Sequence, residues 1–168
     1  MIFKICFISL LCLISLNNCD ITVTDPTSLQ SALTNAKPGD TIRLADGLYS
    51  QSGVFKITKS GTSTNPITLI GSRKAILSSQ NNTDAIYLNG VSWWILDGFT
   101  ISSNRQGMLL ESVTNSILQN LNINVCIDSA IRIRQNSTDN LIQNCTITET
   151  GLSSNPGNGE GIYIGDKQ

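Results

Sequence analysis

Ala85-Ile86-Tyr87-Leu88-Asn89 recurs as Gly107-Met108-Leu109-Leu110-Glu111, then as Ala130-Ile131-Arg132-Ile133-Arg134, and again as Gly161-Ile162-Tyr163-Ile164-Gly165. Counted from Ile86, the motif returns after 22, 23 and 31 residues. A second series runs beside it. Trp94-Ile95-Leu96-Asp97-Gly98-Phe99-Thr100-Ile101 is followed by Ser116-Ile117-Leu118-Gln119-Asn120-Leu121-Asn122-Ile123 and by Asn140-Leu141-Ile142-Gln143-Asn144-Cys145-Thr146-Ile147, in steps of 22 and 24. Repeats of this length mark a solenoid, because one unit cannot bury its apolar face without its neighbours. Each unit holds short alternating strands split by Asn, Gly or Ser, with no helical pattern. Ile86 and Leu88 therefore point inward, and Tyr87 and Asn89 outward. The reading is an all-β, right-handed parallel β-helix whose coils pair about 4.8 Å apart. A leucine-rich repeat has an overlapping period, but it wants Leu at L-x-x-L-x-L and a convex helix. This chain offers Ile-rich strands and polar turns. Asn120 and Asn144 fall in register at a turn, with Gly98 above them. These residue types tolerate left-handed backbone, and stacked asparagines are expected to hydrogen-bond between coils.

Working outward, the first coil needs a cover. Ser28 to Ala36 places Leu29, Ala32, Leu33 and Ala36 on one helical face, after the start signal Asp25-Pro26-Thr27. This is the expected N-terminal capping helix, ended by Lys37-Pro38-Gly39-Asp40. Ile42 and Leu44 are expected to open the first strand, and Asp46-Gly47 to turn it. Gly61 to Asn65 reads as a polar loop before Ile67-Thr68-Leu69-Ile70. At the other end the chain stops at Gly161 to Gln168, in the first strand of a new coil. The expectation is a truncated solenoid whose open C-terminal end self-associates or continues in a longer protein.

Residues 1–19 read as a signal peptide. Lys4 precedes Ile5 to Leu16, an apolar run too short for a membrane span. The β-helix domain, partial, is then 20–168, with no later segment apolar enough to cross a bilayer, and a secreted, extracellular location is expected. Cys126 and Cys145 fall several positions apart on adjacent coils and are expected as packed thiols rather than a disulfide. Sequons begin at Asn81 (Asn81-Asn82-Thr83), Asn136 and Asn144. Of the 168 residues 14% are charged, about half of the ~25% usual for soluble domains, and the net charge is −1. No basic field for nucleic acid exists. Histidine is absent, which excludes Ser-His-Asp and Cys-His nucleophile systems and histidine-ligated zinc.

Leu29-Gln30-Ser31-Ala32-Leu33, Ala36-Lys37-Pro38-Gly39-Asp40-Thr41-Ile42, Leu44-Ala45-Asp46-Gly47-Leu48-Tyr49 and Ser60-Gly61-Thr62 with Asn65-Pro66-Ile67-Thr68 resemble the opening of pectin-lyase-fold proteins. They are most similar to polysaccharide lyase family 6, the alginate lyase and chondroitinase B group. The later coils resemble the wider right-handed β-helix repeat family, so the likeness covers about residues 22–165. It implies calcium-assisted β-elimination of uronate polymers, with calcium neutralising the carboxylate and a lysine and arginine pair handling protons. No lysine lies on the repeated strands between Lys74 and Lys167, and no run of calcium-binding carboxylates is visible.

The register gives one patch of candidate chemistry. Tyr87, Leu109, Arg132 and Tyr163 form an outward column, and Asn89, Glu111, Arg134 and Gly165 the next. Arg132 and Arg134 lie two apart and share a face, so they are the candidate catalytic pair. Arginine grips a carboxylate with two parallel hydrogen bonds and tyrosine stacks on a sugar ring. Tyr87, Glu111 and Tyr163 are the expected substrate contacts. Asp128 precedes this strand, Glu160 precedes the next beside the inserted loop Leu152 to Gly159, and the two are the candidate ligands for calcium. The competing reading makes Glu111 and Arg134 a surface ion pair and Arg132 a solvated edge residue. Of Trp93-Trp94, one ring is expected to pack and the other to lie at the surface. An inverting glycosidase needs two carboxylates about 6.5–9.5 Å apart, and this chain has no Asp-Asp pair to offer. The leading function is acting on or binding acidic polysaccharide, lyase-like if catalytic. The alternatives are a non-catalytic glycan-binding or surface-interaction β-helix, or an inactive fragment.

Overall fold

The computed structural model describes residues 19–152 and 159–166; the leader up to residue 18, the inserted loop from 153 to 158, and 167–168 lie outside them. Strand β1 (Asp20–Val23) leads into helix α1 (Pro26–Asn35), and β2 (Thr41–Leu44), β3 (Gly47–Gln51) and β4 (Phe55–Ile57) make the first full coil. The second coil is β5 (Ile67–Gly71), β6 (Ala75–Ser79) and β7 (Ile86–Asn89), and the third β8 (Trp94–Asp97), β9 (Thr100–Ser103) and β10 (Met108–Glu111). β11 (Ile117–Gln119), β12 (Asn122–Cys126) and β13 (Ile131–Arg134) form the fourth, and β14 (Leu141–Gln143), β15 (Thr146–Ile147) and β16 (Ile162–Ile164) the fifth.

Each third strand stacks on the one a coil before it. The result is three parallel sheets, ordered β1-β2-β5-β8-β11-β14, β3-β6-β9-β12-β15 and β4-β7-β10-β13-β16. The expected β-helix is therefore present, with one addition. The first strand is β1, not β2: Asp20–Val23 pairs with Thr41–Leu44 and gives the first sheet a strand before the helix. Its alternation is visible in Ile21 and Val23, but two apolar residues beside the leader are too few to announce it.

The core is the stack of inward residues. Ile42, Leu69, Leu96 and Leu118 lie in register and are fully buried, each burial contributing about 1.5–3 kcal/mol. Trp94 is fully buried and donates its indole N–H to Lys59 O at 2.6 Å, while Trp93 is half-buried, as expected of the pair. Helix α1 closes the N-terminal end with Leu29, Ala32 and Leu33. Asp25 caps it: its carboxylate accepts from the Thr27 and Ser28 amides at 2.9 and 3.0 Å, and the Ser28 side chain accepts from the Asp25 amide.

The turns follow the residue types. Asn120 and Asn144 have φ of 56° and 54°, beside Gly98 at 88°. At Gly98 a Cβ would run into Gly71 O of the coil before, so no side chain fits. The asparagine ladder departs from expectation. Asn120 donates its side-chain N–H to Asp97 at 2.7 Å rather than to Asn144, because a carboxylate on the preceding strand is the stronger acceptor. Cys126 and Cys145 are free thiols, and burial pushes Cys126 up to about 11.

Candidate functional site

The outward face of β4, β7, β10, β13 and β16 carries the candidate residues. Backbone pairing puts Lys56, Tyr87, Leu109, Arg132 and Tyr163 in one column. Asn89, Glu111 and Arg134 form the second, and the Gly165 amide continues it by donating to Ile133 O at 2.9 Å. Both expected columns are present. Lys56 is the addition. Phe55-Lys56-Ile57 has the same apolar-polar-apolar signature as Ile86-Tyr87-Leu88, one coil earlier, and a repeat count begun at Ile86 passes over it. The Lys56 backbone is fixed to the cap by two bonds to the Gln30 side chain, 3.0 and 3.1 Å.

A third column precedes each strand. Asp84, Gln106, Ser129 and Glu160 are linked by the backbone bonds of the residues that follow them. Asp84, Gln106 and Ser129 are buried. Asp84 accepts from the Gln106 amide at 3.3 Å and pairs with Arg105 at 3.4 Å. Burial raises its pKa, and the Arg105 charge opposes that rise. Sequence reasoning took only Glu160 from this column, because its residue types share no pattern.

Glu111 ties the face together. It accepts from the Tyr87 hydroxyl and pairs with the Arg134 guanidinium. Burial alone would raise its pKa; those two donors and the nearby Arg132 charge outweigh it, and the carboxyl titrates below its ordinary value. Tyr87 moves the other way, to about 12, through burial and the carboxylate it faces. Its hydroxyl is therefore a donor at neutral pH, not a base. Arg134 is likewise committed to Glu111. Glu111 and Tyr87 thus act first on Arg134 and on each other.

Arg132 is not a solvated edge residue. It is 5% exposed, and its Nε and Nη2 atoms have no hydrogen-bond partner among the described residues. Its guanidinium lies 4.9 Å from the centre of the Tyr163 ring. Leu109 and Tyr163 flank it in the column, one coil to either side. Glu160 and Asp128 are not brought into a cage. The Glu160 carboxylate accepts from the Ser129 hydroxyl at 2.9 Å and the Gly159 amide at 3.1 Å, and backbone donors lower its pKa. Among the described residues no three carboxylate, thiol or imidazole side chains come together, whereas calcium takes 6–8 oxygens. Asp128 and Glu160 thus do not fit a calcium cage by themselves. The candidate loop from 153 to 158 lies outside the described residues.

Known structures share this architecture. An alginate lyase from Paenibacillus sp. str. FPU-7 is 33% identical, with a TM-score of 0.81 over 89% of this chain and 51% of that one. The pectate lyase Pel9A is 17% identical, with a TM-score of 0.73 over 90% of this chain and 46% of that one. The PL6 family alginate lyase AlyGC is 21% identical, at 0.57 over 74% and 19%. The last two likenesses concern the fold alone. The chain thus spans about half the length of the alginate lyase it matches. Among curated proteins none matches. A family model described as "Pel9A-like, right handed beta helix region" matches residues 15–168, and the chain belongs to that family.

Proposed function

We propose that this protein acts on an acidic polysaccharide outside the cell, by β-elimination, and that the β4–β16 face contacts the polymer. The likeness to an alginate lyase, 33% identical across 89% of the chain, carries this reading. In such a reaction a general base takes the C5 proton, acidified by the neighbouring carboxylate. The C4–O bond then breaks, the C–H electron pair becomes a C4=C5 double bond, and the leaving oxygen takes a proton from a general acid or water. Neutralising the carboxylate stabilises the charge that develops. Arg132 is suited to that task, since its guanidinium has unpartnered N–H groups. Arg134, held by Glu111, supports it from the next column, and Tyr87 and Tyr163 offer ring surfaces to sugar. Calcium, if required, would draw on Asp128 or Glu160 together with oxygens from elsewhere.

The test is the full-length protein on alginate, pectate and chondroitin, with and without calcium, following the ultraviolet absorbance of unsaturated product. Absorbance should rise on at least one polymer. Silence on all three sinks the elimination reading. A second reading, a β-helix that binds such polymers without cutting them, is favoured by the commitment of Arg134 and Tyr87 to Glu111. Binding without product would select it. Export is checked by fusing residues 1–19 to a reporter: the reporter should leave the cell, and retention would overturn the extracellular assignment.

A further inference from the structure

Asp40, where the capping helix gives way to the first coil, is a buried carboxylate without a cation. It is 5% exposed, and it joins no salt bridge among the described residues. Two backbone amides answer it instead. Its Oδ2 atom accepts from the Lys37 amide at 2.8 Å, and its Oδ1 atom accepts from the Cys19 amide at 3.0 Å. Cys19 is held through its carbonyl as well, which accepts from the Thr41 amide at 2.9 Å. Strand β1 follows directly, so both backbone groups of Cys19 belong to the fold. Burying a carboxylate strips it of water, and a full positive charge on one of its donors replaces that water better than a neutral amide does.

We infer that the leader is removed by hydrolysis of the Asn18–Cys19 peptide bond, and that the α-ammonium group released on Cys19 pairs with Asp40 and fastens the new N-terminus to the first coil. This rests on the proposed export of the protein. One water is consumed. Its oxygen joins the Asn18 carbonyl carbon, which becomes a carboxylate, and its two protons go to the Cys19 nitrogen, which becomes an ammonium. The cut lies one residue ahead of the boundary expected from the sequence. Small residues mark signal cleavage, and in Leu16-Asn17-Asn18-Cys19 the small side chain is Cys19, which favours a cut after it. That cut removes the amide that serves Asp40 and the carbonyl that serves Thr41, and leaves a buried carboxylate oxygen and a strand amide unanswered. A cut upstream of Asn18 keeps both bonds but leaves Asp40 facing a neutral amide. The Asn18–Cys19 cut keeps both and adds the missing charge. The neighbouring charges do not compete for it, since Asp20 and Arg43 are paired with each other at 2.8 Å.

The first measurement is the intact mass and N-terminal sequence of the full-length protein recovered from the medium of a secreting host. The chain should begin at Cys19. Any other first residue overturns the cleavage site and leaves the export reading standing. A protein retained in the cell with its leader attached overturns both. The second measurement tests the ion pair without export. The full-length protein is released by a protease from a fusion partner that replaces the leader, so that it starts at Cys19, at Asn18 or at Asp20. The Cys19 form should melt highest, about 2–4 °C above the Asn18 form, in which the charge is moved one residue away. The Asp20 form should melt lowest, because it lacks both Cys19 bonds. Asp40→Asn should erase the gap between the Cys19 and Asn18 forms, since an amide offers no charge to pair. Equal midpoints for those two forms, or a gap that persists in Asp40→Asn, overturns the pairing. If Asp40→Asn does not fold, the three forms of the parent chain decide by themselves.

Discussion

The N-terminal cap and the β7–β13 face both use carboxylates and hydrogen bonds, but under opposite conditions. At the cap, Asp20 pairs with Arg43 at 2.8 Å with the side chains 59% and 51% exposed, and Asp25 satisfies two amides of its own helix. Each of these groups is wet or locally answered. On the strand face, the Glu111 side chain is 8% exposed and serves Tyr87 and Arg134 on two other coils, while Arg132 beside it goes unanswered. Water screens an ion pair and substitutes for a lost partner; a buried network has neither safeguard. Losing Asp20 or Asp25 should therefore cost less than losing a carboxylate on the face. The polar groups there hold one another in place and leave one cation in reserve.

The comparison breaks first at Glu111. Glu111→Ala should cost about 2–3 kcal/mol, below the usual figure for a fully buried pair because Arg134 keeps partial contact with water. Urea unfolding measures it, and a loss below about 0.5 kcal/mol would make the face as tolerant as the cap.

Acid sharpens the contrast within the face. The folded Glu111 carboxyl titrates below its ordinary 4.5, so its contribution is fully present above that pH and is lost as pH falls through the folded value. Asp84 is raised above its ordinary 3.8, so its contribution has the opposite sign: burying its charge is a penalty that protonation relieves as pH falls toward 3.8. Stability curves from about pH 6 to about pH 3 should show Glu111→Gln losing less stability on acidification than the parent, and Asp84→Asn losing more. Parallel curves for all three proteins would contradict the assigned directions.

At the cap, Asp25→Ala should lower the thermal midpoint by less than Glu111→Ala does, with Asp25→Asn recovering most of the loss, since asparagine also caps helices. The smallest effect belongs to Arg43→Ala, within about 0.5 kcal/mol and further reduced by salt. A larger loss there would mean that β1 depends on its ion pair rather than on Ile21 and Val23.

The coils are legible in the sequence because repetition overdetermines them. Ile86, Met108, Ile131 and Ile162 each predict the others, and the left-handed turns at Gly98, Asn120 and Asn144 carry residue types that such backbone demands. β1 is not legible, since it lies before the first repeat. Of the candidate site, the two outward columns can be read from alternation alone. The Asp84 column keeps the same spacing of 22, 23 and 31, but Asp, Gln, Ser and Glu share no residue type, so nothing but position marks it. Nor can the partnership of Tyr87 with Glu111 be read, because the two stand in different columns on different coils.

Sequence by itself determined the solenoid, its capping helix and which side chains face out, because each follows from local alternation and a period that backbone pairing must respect. Burial of that outward face was decided by the tertiary structure. Stacked coils placed Leu109 and Tyr163 on either side of Arg132 and closed Tyr87 and Arg134 around Glu111. Exposure depends on what the neighbouring coils put beside a residue, and no single repeat contains that information.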